Sequence, residues 1–165
     1  MTPLIAQRAL IIAAGELAAG VHETPAGSNR GPQIDEYLRS RGADVGQRWC
    51  AAFVAWCITE AGKQLTAPAP LNGWGPLVSA QEWADVARAK GRWRSEPWPG
   101  MVGVILEEDR HHVVLVKDAS PECDWLISVD GNWEDKVAEV ERHVNRFAGF
   151  VDWFSPESKE PECDS

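Results

Sequence analysis

The chain has 165 residues, enough for one domain with a sizeable core and too few for a second ordinary one. Hydrophobic residues at 44% and charged residues at 25% are ordinary globular values. The net charge of −9 argues against nucleic acid and against an anionic lipid surface as partners, because little basic surface remains to displace counterions.

Residues 4 to 19, rich in Ala, Leu and Ile, predict a helix ending near Gly20. Its apolar stretch from Ala9 to Ala14 is interrupted by Gly15-Glu16 and is too short for a secretory core or a membrane span. The expectation is a soluble monomer made in the cytoplasm that reaches another compartment by another route. Val21 to Pro32 is dense in turn residues, and so long an irregular segment is more often functional than idle. Pro32 then opens a short helix with Ile34, Tyr37 and Leu38 on one face.

Trp49-Cys50-Ala51-Ala52-Phe53-Val54 starts an apolar helix that should run to about Ala61, with Gly62 as its stop. Cys50 therefore sits at a helix N-terminus, where the macrodipole favours thiolate. Cys57, two turns on, has no such end to activate it and reads as a packed thiol. Cys123 and Cys163 each stand in a Pro-Glu-Cys triplet, candidates for pairing in an oxidising compartment; no two of the four cysteines have zinc spacing. Ser79 and Glu82 have capping-box spacing for a helix to about Lys90, closed by Gly91.

Beyond that helix the period changes. Met101–Leu106, His112–Lys117, Leu126–Asp130 and Gly149–Phe154 predict strands, with a weaker fifth at 137–144. Helices first and a meander after them predict an α+β fold in one domain, residues 1–155, followed by a charged, disordered tail at 156–165. His112 begins its strand, and Asp130 and Asn132 end the next, which hairpin geometry places alongside. One of the two can hold one imidazole nitrogen so that the other takes the thiol proton.

These pieces resemble the CHAP amidase/peptidase family, in the NlpC/P60 branch of papain-like cysteine peptidases. The resemblance rests on Gly27-Ser28-Asn29 with Gly31-Pro32, on Trp49 to Val54, on Pro99-Gly100, on His112-Val113 and on Asp130-Gly131-Asn132. It spans about residues 17 to 153, and its specific part is Trp-Cys-Ala-Ala-Phe-Val. Met101 and Val114 depart from the family pattern, which has Asp after Pro-Gly and Gly after His-Val. Asp130 stands where many members have Glu.

The resemblance implies a papain-like fold and hydrolysis of an amide bond in bacterial peptidoglycan, either the muramoyl–L-alanine amide or a stem-peptide bond. Cys50 would be nucleophile and His112 base, with Asp130 or Asn132 orienting it. Trp49, Trp74 and Trp133 are candidate walls for the substrate, and Asn29 and Gln47 candidate side-chain donors. No acidic cluster precedes Cys50 as in the calcium loop of some members, so no metal or other cofactor is expected. The expected setting is phage lysis after release by a holin. The alternatives are a wall-degrading toxin with an immunity protein, or a non-catalytic wall-binding or virion module.

Overall fold

The computed structural model describes residues 1–120 and 122–156. The expected tail, from 157 onward, and with it Cys163 and its pairing, lies outside the described residues. Among the described residues four α-helices precede the strands: α1 (Leu4–Ala18), α2 (Pro32–Ser40), α3 (Cys50–Gln64) and α4 (Ala80–Ala89). The α3 helix is the buried one, with ten of its residues inside, as its apolar run predicts. Against it lies α1, whose buried face is Ala6, Ala9 and Ala13. Those small side chains at near-helical spacing let the two axes approach.

Gly62 does not stop α3, which continues to Gln64. A Cβ at Gly62 would stand 2.6 Å from Pro70 Cδ, so this glycine makes room for the Pro68–Pro70 segment. A tertiary contact, not a turn, requires it. The predicted capping box does start α4: Glu82 N–H donates to Ser79 Oγ at 3.2 Å, and Ser79 N–H to Glu82 Oε2 at 3.0 Å.

The five expected strands form and a sixth joins them. They are β1 (Trp93–Arg94), β2 (Val102–Glu107), β3 (Arg110–Ala119), β4 (Trp125–Trp133), β5 (Lys136–His143) and β6 (Gly149–Val151). The sheet is antiparallel throughout in the order β1-β6-β2-β3-β4-β5. The unforeseen β1 is two residues long, below the length at which alternation can be read. The fold is α+β.

Along β3 the alternation is hidden, because Val113 to Val116 are all buried. Val113 and Leu115 join Val102, Val104, Val129 and Val137 in the core shared with the helices. Val116, Leu126, Phe150 and Met101 pack together in a second cluster. A sheet covered on both faces reads as a continuous apolar run. Of the glycines, Gly131 matters most to the site: a Cβ there would stand 2.7 Å from Phe53 Cβ, so α3 rests directly on β4 beside Asp130.

Candidate active site

The start of α3 is fixed from behind. Trp49 is fully buried, and its indole N–H donates to Glu23 Oε1 at 2.9 Å. Glu23 Oε2 accepts the backbone N–H of Asn29 at 2.8 Å. Residues 21–23 run beside the end of the sheet: Val137 N–H donates to Val21 O at 2.9 Å, and Glu23 N–H to Asp135 O at 2.7 Å. Glu23 thus ties the long irregular segment to the helix start, which gives that segment a structural task. Trp49 at the N-cap makes no side-chain cap to α3, so the first N–H groups remain for other acceptors.

Cys50 is the first residue of α3 and 8% exposed. His112 comes from β3 and Asp130 from β4, paired through the register Leu115↔Val129. His112 Nε2 and Asp130 Oδ2 are 2.8 Å apart, and Asp130 has no exposed surface. With Nε2 held by the carboxylate, Nδ1 is the ring nitrogen left to act on the Cys50 thiol, whose ionisation the imidazole perturbs. Interaction runs in a line from thiol to imidazole to carboxylate.

Electrostatics follow from that line. Burial pushes the Cys50 thiol up, but His112 and the N–H groups of Val113 and Ala51 outweigh it, so its pKa lies below the ordinary 9.0. Burial pulls the His112 imidazole down, yet Asp130 and Cys50 raise it to about 9. Burial likewise opposes ionisation of Asp130, while His112 and Arg142 hold its carboxyl below the ordinary range. All three net shifts favour a thiolate–imidazolium pair over a neutral one.

Behind the carboxylate stands a group that local sequence does not reveal. Arg142 of β5, 8% exposed, donates from Nη2 to Asp130 Oδ2 at 2.6 Å and from Nη1 to Ser128 Oγ at 2.9 Å. Ser128 Oγ donates in turn to Asp130 Oδ1 at 2.6 Å. Both carboxylate oxygens are therefore occupied. In the sequence Arg142 follows Glu141 and reads as one of several solvated charges; only the register Leu126↔Arg142 turns it inward. Ser128 and Glu23 likewise take their places through partners distant in sequence, Ser128 beside Arg142 and Glu23 under Trp49.

The remaining candidates divide. Asn132, φ 59°, does not hold the imidazole: its Nδ2 donates to Asn29 Oδ1 at 3.3 Å, and the orienting group is Asp130. Trp49 offers no surface for a substrate wall, and Trp74, 7% exposed, packs on Trp83 with ring centroids 6.2 Å apart. Both are core residues, because their indoles fill space beneath α3 and α4. Trp133 does stand at the site, its ring centroid 6.2 Å from that of His112. Two guanidiniums lie over it, with the Arg110 and Arg142 Cζ atoms 4.4 and 4.5 Å from its centroid. Gln47 is exposed in the loop before Cys50.

A cavity of about 630 Å³ opens elsewhere, among Arg94, Trp98, Met101, Cys123 and Phe154, and none of the Cys50 group lines it. Among the described residues no three His, Cys, Asp or Glu side chains are grouped to hold a metal ion, and no helix is long and apolar enough to cross a membrane. Comparison with protein-family models, with curated proteins and with solved structures matches none of them to this chain.

Proposed function

We propose that the chain is a cysteine hydrolase that cleaves an amide bond of bacterial peptidoglycan. The observation that carries the hydrolase reading is the line Cys50–His112–Asp130 at an uncapped helix start. The CHAP resemblance supplies the substrate class. In the proposed cycle the Cys50 thiolate adds to the carbonyl carbon, and the oxyanion is met by N–H groups at the start of α3. Imidazolium His112 gives its Nδ1 proton to the leaving amine. It then takes a proton from water, whose oxygen attacks the thioester and frees Cys50. Asp130 stays ionised and holds the ring.

Phage lysis, with release by a holin, is the setting the proposal carries. The test is turbidity of permeabilised Gram-negative cells with wild type and Cys50→Ala, followed by mass spectrometry of the digested wall. The expected result is clearing by wild type alone, with a new amine terminus that names the bond. Equal clearing by both proteins would overturn the cysteine mechanism. Clearing by neither on any wall type leaves the non-catalytic wall-binding module as the reading.

A further inference from the structure

A free cation stands one ring away from His112, where a chain of net charge −9 has most need of it. Arg110 opens β3, two residues before His112 and hence on the same side of the strand. Its cross-strand neighbour is Glu107, the natural partner for an ion pair. That carboxylate is already held by Arg146, whose Nε donates to Oε1 at 2.6 Å and Nη2 to Oε2 at 2.8 Å. Asp130, the other acid on this side, is held by Arg142, Ser128 and His112. Among the described residues the Arg110 guanidinium has no hydrogen bond or salt bridge. It lies half-buried over Trp133, its Cζ 4.4 Å from the ring centroid.

We infer that Arg110 is a specificity residue that receives a carboxylate of the substrate, flanking the amide presented to Cys50. This rests on the hydrolase reading and narrows it to peptides with a free carboxylate near the cleaved bond. The physical case is a planar fork of donors, pre-oriented on an aromatic face, while its cross-strand acid Glu107 and the site carboxylate Asp130 are hydrogen-bonded to other arginines. A net negative protein repels an anionic wall fragment at long range. A bidentate guanidinium–carboxylate contact beside the imidazole offsets that locally.

The test titrates Cys50→Ala with muramyl-tetrapeptide fragments from a Gram-negative wall, and with the same fragments after their carboxylates are amidated. Amidation is expected to weaken binding about tenfold to a hundredfold, the size of one charge-assisted contact. In Cys50→Ala/Arg110→Gln the two fragments should bind within about twofold of each other, and Cys50→Ala/Arg110→Lys should retain part of the discrimination. Equal binding of both fragments to Cys50→Ala, binding of neither, or discrimination that survives Arg110→Gln would each overturn the inference. Thermal melts of the Arg110 variants show that they are folded. Cleavage of the native fragment by wild type is scored separately. Cleavage without discrimination sinks the role of Arg110 alone; discrimination without cleavage sinks the hydrolase reading and keeps the carboxylate site.

Discussion

Cys50 and Cys57 lie on one helix, seven residues apart and both buried, yet their thiols are pushed in opposite directions. Burial opposes ionisation of each. At Cys57 it acts with Glu16 and Glu60, and the thiol is raised well above 9.0. At Cys50 the imidazole and two N–H groups outweigh it. Desolvation is the shared background, and the partner decides the sign. A buried cysteine is inert or reactive according to what the neighbouring strand presents to it.

The comparison is broken most directly by Cys50→Ala, which should lower wall hydrolysis by about 10⁴-fold or more, since loss of the nucleophile leaves only binding and oxyanion contacts. Iodoacetamide sharpens it: peptide mapping of the native protein should find Cys50 modified and Cys57 unmodified until denaturant is added. Modification of Cys57 at the rate of Cys50 would show that partner chemistry does not separate them.

Arg142→Leu should have the next largest effect. It leaves the buried Asp130 carboxylate without its cation, a change that costs about 3–5 kcal/mol when one member of a buried pair is removed. The midpoint of urea unfolding should fall accordingly. Arg142→Lys keeps the charge but not the fork that spans Asp130 and Ser128, so its loss should be smaller. An unchanged midpoint in Arg142→Leu would mean that the carboxylate does not depend on this arginine.

The pH dependence separates the two halves of the pair. The Cys50 thiolate forms at a pH below 9.0, and its alkylation should rise there and then stay level. In the proposed cycle hydrolysis also needs the imidazolium proton, so it should fall as pH rises through about 9, roughly tenfold per unit beyond. The linkage to stability has the same sign. A raised His112 pKa stabilises the fold fully below the ordinary value of 6.5, and that contribution is lost as pH rises through about 9. Hydrolysis that stays level with alkylation beyond pH 9 would remove His112 as the proton donor.

What could be read in advance was local or periodic. The Cys50 helix start and the Ser79–Glu82 cap are each written within a few residues, and the structure has both. The expected His112 strand is present but begins two residues earlier, at Arg110, because the hairpin pairing with β2 extends to Glu107. What could not be read depends on residues distant in sequence. Gly62 looks like a stop until Pro70 packs on it, and Arg142 looks solvated until register turns it toward Asp130. Trp49 and Trp74 have the aromatic character of a cleft wall, but character does not give depth, and both are core. Asp130 and Asn132 were equivalent by spacing; the bend that gives Asn132 a positive φ faces it to Asn29 instead. Substrate class lies beyond geometry altogether, and the peptidoglycan proposal rests on the resemblance alone.

The smallest expected effect is the control on the opening contrast. Cys57 is fully buried, so Cys57→Ala removes only a sulfur from a packed site in the helix-side core. The cost should be about 1–2 kcal/mol, in the range of small core truncations. Wall hydrolysis per folded molecule and the rate of Cys50 alkylation should both stay at wild-type values. Were Cys57→Ala to slow hydrolysis as much as Cys50→Ala, the two thiols would share a task, and His112 would no longer be what distinguishes them. If only stability moves, packing and chemistry are separate along the same helix, two turns apart.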